Sequence, residues 1–361
     1  MEILQICPYP FGEIGGVANH ILNISKRLAK THNVTVYATS VRPKSYHYEL
    51  GNGIIVETFK CYAPYNAYFF SWDMLIRLRK AKFDIVHAHD YSTFPFHFSV
   101  LAKCQKLIVT THFHGESSSS FRNSLRRLLK PFGKRTLKKA ERIIAVSEFE
   151  KSLLTRHLKI DAEKITVIPN GVDFSEFSGL RRRPHDFKSI LYVGYLLDYK
   201  GVQYLVEVLP KLADDVVLEI VGTGPIKPFL ERRARELKVY DRVRFYENLS
   251  RRKLLQKFVD ADVFVLLSKY EAYSLVVAEA LTAGTPCIVA NTSALSEWVD
   301  NESCFGVDFP ISLDELARLI NSVLDNGADK RAMKKWIGTK IPDWNNVAYE
   351  LESIYLKSED H

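Results

Sequence analysis

Short β-branched runs alternate with stretches of helical periodicity along the whole chain, and nothing else in the sequence limits the fold so strongly. In the first half the runs are Ile3 to Ile6, Val34 to Tyr37, Asp84 to His89, Leu107 to Thr110 and Arg142 to Val146. Each ends in polar or glycine residues. Between the first two lies Val17 to Ala29, with Ile21, Ile24 and Leu28 at helical spacing. Such alternation implies a parallel sheet with helices on both faces. It restarts in the second half with Ile190 to Gly194, Leu218 to Gly222, Val263 to Leu267 and Cys287 to Ala290. An Asn170-Gly171 turn signal and the charged stretch Arg181 to Asp186 separate the halves. The expectation is an α/β chain of two doubly wound domains, one over 1–180 and one over 186–342. Ligands of such sheets bind at the carboxyl ends of the strands. A last helix, Trp344 to Lys357, carries Val347, Leu351, Ile354 and Tyr355 on one face, but periodicity does not assign it to a domain.

Composition excludes the other broad classes. Hydrophobic residues make up 47% and charged residues 25% of the 361, which suits a folded soluble protein rather than a disordered or collagenous one. No apolar run reaches the ~18 residues of a membrane span. The start, MEILQICPYPFG, lacks the basic and long apolar regions of a signal peptide. Five scattered cysteines without a C-x-x-C pair suggest neither a disulfide framework nor a zinc site. A cytoplasmic location is expected. The formal net charge of +8 is concentrated in Phe121 to Arg142, which holds nine Lys/Arg and one acidic residue. There Arg122, Arg126, Arg127 and Lys130 interleave with Leu125, Leu128 and Leu129. One reading is a basic amphipathic helix lying on an anionic membrane surface; the other is the solvated face of an ordinary helix. No motif supports nucleic acid.

Several signatures fail. No P-loop occurs, and Val221-Gly222-Thr223-Gly224-Pro225 lacks the third glycine of a dinucleotide fingerprint. Pro225 suits the first position of a helix. Asp260-Ala261-Asp262 reads as helix-end acids rather than a metal site. No nucleophile elbow, H-E-x-x-H or kinase signature is present.

One constellation holds. Glu271 and Glu279 are separated by seven residues, between the end of a strand and a helix pattern running from Leu275 to Ala283. The backbone N–H groups of Ser274, Leu275 and Val276 then lie at a helix start, which suits a phosphate. Side chains lean toward the helix N-terminus, so Glu279 reaches a ligand held there.

This pair, followed by Ala280-Leu281-Thr282-Ala283-Gly284-Thr285-Pro286, resembles the motif of retaining glycosyltransferase family 4. Gly15-Gly16-Val17-Ala18-Asn19-His20, Asp84 to His89, Thr110-Thr111-His112, Ala145 to Glu148, Ile168 to Asp173, Tyr192 to Gly194, Lys200-Gly201 and Val221 to Pro225 fit in order. The resemblance implies the GT-B architecture, two Rossmann-like domains facing across a cleft, with the C-terminal helix over 343–361 joined to the acceptor-binding N-terminal domain. It implies a nucleotide-sugar donor, UDP- or GDP-linked, a glycan or lipid-linked acceptor, and neither a cofactor nor an essential metal. Residue by residue, Glu279 would bind the ribose and Glu271 the transferred sugar. Lys200 would neutralise the diphosphate, and Ser274, Leu275 and Val276 would supply N–H groups. Gly16 would let the backbone approach the ligand, His112 would stand near the reacting sugar, and Leu249 would pack near the base.

Departures from the pattern are visible. Tyr195 stands where the family has an Arg that shares the diphosphate with the lysine; Lys188, Lys269 or Arg251 are the candidates to replace that cation. Ala272 and Ser274 replace two glycines. The nearest alternatives are another GT-B enzyme, an epimerase or phosphorylase, and an inactive sugar-nucleotide-binding protein, for which Tyr195 is the argument. The resemblance also favours attachment to the inner membrane face through the basic segment.

Overall fold

The computed structural model describes residues 1–11, 15–41, 46–51, 53–62, 69–115, 120–327, 333, 336 and 338–357, with the backbone alone at 120–128. Contacts divide the chain into two units. One is Met1–Gly171 together with Trp344–His361, and the other is Val172–Asp343.

The first unit is built on β1 (Glu2–Cys7), β2 (Asn33–Ser40), β3 (Tyr46–Leu50), β4 (Ile54–Lys60), β5 (Lys82–His89), β6 (Lys103–Thr110), β7 (Arg142–Ala145) and β8 (Ile165–Val167). Their order in the sheet is β3-β4-β2-β1-β5-β6-β7-β8. All neighbours are parallel except the β3–β4 hairpin at the edge. From Ile3 to Cys7 no side chain of β1 is accessible, as expected of a strand covered on both faces. Strand order reverses between β1 and β5, so loops leaving their carboxyl ends diverge there.

The Gly16–Leu28 helix buries Ile21, Ile24 and Leu28, the stripe read from the sequence. The last helix, Trp344–Leu356, packs on it within this unit. It buries Val347, Leu351 and Tyr355, and the Tyr355 hydroxyl reaches His87 Nδ1 at 2.6 Å.

The second unit contains β9 (Lys188–Val193), β10 (Val216–Val221), β11 (Val243–Tyr246), β12 (Val263–Leu266), β13 (Cys287–Ala290) and β14 (Cys304–Val307), all parallel, in the order β11-β10-β9-β12-β13-β14. This is the six-stranded doubly wound order, built of two βαβαβ halves. The central strands β9 and β12 pair only at Ile190–Val263 and Leu191–Phe264 before they part. That opening is the switch point. Two glycines bring the loops around it together. A Cβ on Gly201, which has φ +74°, would stand 2.3 Å from the Leu267 carbonyl, and one on Gly222 would stand 1.9 Å from that of Gly194. Neither position admits a side chain.

Some elements escaped the sequence reading. Strand β3 is exposed along nearly its whole length and lacks an apolar face. Strands β8, β11 and β14 are three or four residues long, too short to show a period. The helix after Gly224 starts at Lys227, with Pro228 rather than Pro225 in its first turn. The acids Asp260 and Asp262 are tied down rather than free. Asp260 accepts the Arg183 backbone N–H at 3.0 Å and its Nε at 2.9 Å, while Asp262 accepts the Ser189 N–H at 2.8 Å.

Candidate active site

In the second unit the site residues gather at the carboxyl ends of β9 and β12. The turn Asp198–Lys200 carries Lys200, and the loop after β12 carries Glu271. Lys200 Nζ donates to Glu271 Oε1 at 2.6 Å. Burial alone lowers the pKa of this ammonium, but the Glu271 carboxylate, through its charge and its hydrogen bond, helps hold Lys200 above its ordinary value. The lysine is therefore a fixed cation. Glu271 is itself anchored, its backbone N–H donating to Ser293 Oγ at 3.1 Å.

The Leu275–Thr282 helix follows directly. Ser274 precedes it with φ +84°, in the left-handed region that favours glycine. Its hydroxyl, like those of Ser268 and Tyr273, is buried without a partner among the described residues. By helix geometry the first-turn N–H groups have no intrahelical acceptor. Glu279, one turn further in, is only 4% exposed. Burial raises its pKa, and the Arg251 guanidinium pulls it back. Arg251 Nη1 lies 2.7 Å from Glu279 Oε1, and its Nε and Nη2 lie 3.0 and 2.7 Å from Glu176 Oε2. The sequence offered Arg251 as a replacement cation for the diphosphate, not as the partner of Glu279.

The candidates for a second cation are thus sorted. Lys188 sits at the start of β9, the far end from Gly194, paired with Asp325. Lys269 faces the Tyr270 ring at 5.5 Å. Arg251 is held by two carboxylates. Tyr195 is half exposed, and Leu249 is half-buried in the loop between β11 and the Arg251–Asp260 helix.

In the first unit, Gly16 is exposed at a helix start, and a Cβ there would meet nothing within 4 Å. One turn on, His20 faces His89 at the end of β5 and His112 just past β6. Ring centroids are 5.4 Å apart for His20–His89 and 5.1 Å for His20–His112. Asn170 Oδ1 lies 2.7 Å from His20 Nδ1, and Gln5 Oε1 lies 2.8 Å from His89 Nε2. Because those oxygens accept, the network assigns the protons to these two nitrogens. His20 Nε2, His89 Nδ1 and His112 Nε2 are left buried without partners among the described residues. The three imidazoles offer ligand atoms within 4.8 Å of one another, the group among the described residues that could hold a metal.

Burial lowers the pKa of His20 to about 4. The same cause holds His87, His89 and His112 well below the ordinary value. All four are neutral near pH 7. His87 bonds Tyr355 and Thr110 through its two nitrogens. His112 has φ +46°, a conformation that costs a non-glycine residue on the order of 1–3 kcal/mol and persists only where the surroundings impose it.

The basic segment forms a helix over Ser120–Lys139, with Pro131 inside it. The side chains of Arg122, Arg126 and Arg127 lie outside the described residues, and Lys130 is exposed. No helix among the described residues is long and apolar enough to cross a membrane.

Comparison with known proteins agrees with this fold. The family model of Glycosyltransferase Family 4 matches residues 14–176, and that of Glycosyl transferases group 1 matches residues 174–337. A glycogen synthase of Mycobacterium tuberculosis is 28% identical, with 99% of this chain and 95% of the relative covered. A phosphatidyl-myo-inositol mannosyltransferase of Mycolicibacterium smegmatis is 28% identical, with 98% and 93% covered. Among solved structures, Anabaena HepE in complex with UDP-glucose superposes with a TM-score of 0.78 at 18% identity, covering 98% of this chain and 99% of the other. The fold is GT-B, with two Rossmann-like domains. The chain belongs to glycosyltransferase family 4 and is a glycosyltransferase of the hexosyltransferase type.

Proposed function

We propose that this enzyme moves a sugar, with retention, from a UDP- or GDP-linked donor to a glycan or lipid-linked acceptor, without an essential metal. The observation that carries the reading is the Lys200–Glu271 pair at 2.6 Å beside the start of the Leu275–Thr282 helix. Lys200 and the N–H groups of Ser274, Leu275 and Val276 stabilise the negative charge that grows on the leaving diphosphate. Charge stabilisation by fixed protein groups takes the place of a metal there. Glu279 accepts the two ribose hydroxyls, and the Arg251 guanidinium offsets part of the burial that raises its pKa. Tyr195 adds at most a neutral hydrogen bond, weaker than the charge-assisted one it replaces. Leu249 packs on the base, and Gly16 lets the protein backbone approach the ligand.

Glu271, bound to Lys200, is poorly placed to act as a free nucleophile. This supports front-face attack within an ion-pair-like transition state over a covalent glycosyl–enzyme intermediate. His112, neutral and with Nε2 unpartnered, offers a hydrogen bond to the transferred sugar.

Calorimetry and thermal shift with UDP-, GDP- and ADP-sugars, in EDTA, test the donor reading. A ligand at 100 times its Kd stabilises by about 2.7 kcal/mol, so one nucleotide series should stand out. No response, or a response that appears only after zinc or magnesium is added, would sink the metal-independent donor site. In the second case the His20, His89 and His112 group becomes the place to look.

The acceptor reading extends to the membrane. The basic Ser120–Lys139 helix, with Lys130 exposed, supports peripheral attachment to an anionic inner membrane face. Liposome sedimentation should show binding to vesicles containing phosphatidylglycerol, weakened by salt. Equal binding to neutral vesicles, or none, rules the attachment out.

A further inference from the structure

We propose that Glu150 is the positioning residue that holds His112 in its left-handed backbone conformation; this rests on the reading of His112 given above. Glu150 lies in the Glu148–Leu153 helix and is wholly buried. Ser147 caps that helix, its hydroxyl accepting the Glu150 N–H at 3.0 Å. Ser147-Glu148-Phe149-Glu150 therefore has the spacing of a capping box, in which the glutamate side chain turns back to the N–H of the capping serine. Here the carboxylate is used differently. One oxygen, Oε2, accepts the Val146 N–H at 2.7 Å. The other, Oε1, accepts the Thr111 hydroxyl at 2.5 Å and also the Phe113 N–H. These last two donors belong to the residues on either side of His112. A single carboxylate oxygen thus pins both neighbours of a strained residue, and the second oxygen ties them to the end of β7. Thr111 is also fixed from the sheet, its N–H donating to Ile144 O at 3.2 Å and its carbonyl accepting from Tyr91 at 2.9 Å.

A buried carboxylate is retained only where several donors repay its desolvation. A helix cap needs one acceptor of modest strength, and burying an anion for that alone gains nothing. The three donors converge where the His112 backbone departs from ordinary geometry, which gives the charge a purpose. With the peptide units on both sides fixed, His112 keeps its ring against His20 and His89, at centroid distances of 5.1 and 5.9 Å, with Nε2 left open. Without Glu150, the 111–113 segment can relax to negative φ and carry the imidazole away. A misplacement of about 1 Å costs on the order of 100-fold in rate.

The test is a double-mutant cycle of Glu150→Gln with His112→Ala, read as kcat and donor KM from nucleoside diphosphate release, with UDP-glucose, GDP-mannose and ADP-glucose supplied in turn. Glutamine keeps the shape but turns one acceptor oxygen into a donor, so the three donors are no longer all accepted. Glu150→Gln should lower kcat by roughly 10- to 100-fold with donor KM little changed, and should add less than about twofold once His112 is alanine. Equal losses in both backgrounds, or no loss in the first, overturn the positioning role alone. An unchanged kcat in His112→Ala overturns the reading of His112 and the positioning role with it. Thr111→Val, which removes only the hydroxyl donor, carries the same cycle if the Gln variant is insoluble, with a smaller loss and the same non-additivity. One readout needs no donor. In histidine-labelled protein, Glu150→Gln should shift the ring nitrogen resonances of His112 and leave those of His157 in place. Unmoved His112 resonances count against the proposal.

Discussion

Replacing Lys200 by alanine should lower kcat by about two to three orders of magnitude, the loss seen when one preorganised stabiliser of a developing anion is removed. Lys200 lies in the turn after β9, hydrogen-bonded to Glu271 in the loop after β12, and its pKa is held above the ordinary value, so its charge is present throughout the working pH range. Half-exposed Tyr195 cannot replace it. The effect should fall on nucleoside diphosphate binding as well, because a bound diphosphate already carries charge in the ground state. Glu271→Ala should behave differently. It removes a carboxylate 2.6 Å from the same ammonium, freeing the lysine for the diphosphate. Turnover should fall by a similar factor, while UDP or GDP binds as tightly as before or more tightly. Steady-state kinetics and calorimetry on the two variants separate these outcomes. If both variants keep more than a tenth of the parent kcat, the pair is structural and the site lies elsewhere. If Glu271→Ala loses nucleotide binding along with turnover, the glutamate holds the loop rather than the sugar.

Acid should loosen the first unit long before the second. His20 and His97 are buried with pKa values lowered to about 4. Below pH 6.5 the unfolded chain takes up protons at these residues and the native chain does not. Their stabilising contribution is therefore present above pH 6.5 and disappears as pH falls toward 4. By pH 5 the two together lose about 4 kcal/mol, at 1.36 kcal/mol per pH unit each. Glu150 works in the opposite direction. Burial raises its pKa to about 7, so the native state holds a proton that the unfolded chain releases, and acidification returns about 3 kcal/mol by pH 5. Three more buried imidazoles, His87, His89 and His112, are shifted the same way as His20 and tip the balance toward loss. His185 is the only one of the eleven histidines in residues 172–343, so the second unit has no comparable group. Hydrogen exchange, corrected for its intrinsic pH dependence, should show protection falling by about 100-fold or more between pH 7.5 and 5 in β1, β5 and β6, against little change in β9 and β12. Equal losses in both units, or none, contradict the account.

Much of this protein was legible without coordinates. Strand–helix alternation marked two doubly wound halves, because the two periods differ and each must bury an apolar face. The spacing of Glu271 and Glu279, with a strand before them and a helix that carries the second, marked the carboxyl end of β12, where Glu271 meets Lys200. What escaped was of two kinds. Short or exposed strands such as β3 and β14 carry too little pattern to read. The edge of a sheet also needs no apolar side chains to form.

The second kind is long-range pairing, which no local pattern encodes. Arg251 meets Glu279 across 28 residues, and Lys200 meets Glu271 across 71. Asn170 orients His20 from 150 residues away. His20, His89 and His112 were each visible as motif residues, but their crowding into one neutral cluster follows from the parallel sheet, which brings the carboxyl ends of β1, β5 and β6 side by side. Glu150 gave no signal beyond a helix cap. Only the fold aims its carboxylate at both neighbours of His112. The sequence by itself determined the alternation of the longer strands and helices and the spacing of Glu271 and Glu279, since propensity, periodicity and turn chemistry act over a few residues. The tertiary structure decided which charges are paired, which imidazoles are dry and which backbone is held under strain, because those depend on burial and on partners that only the folded chain brings within hydrogen-bonding reach.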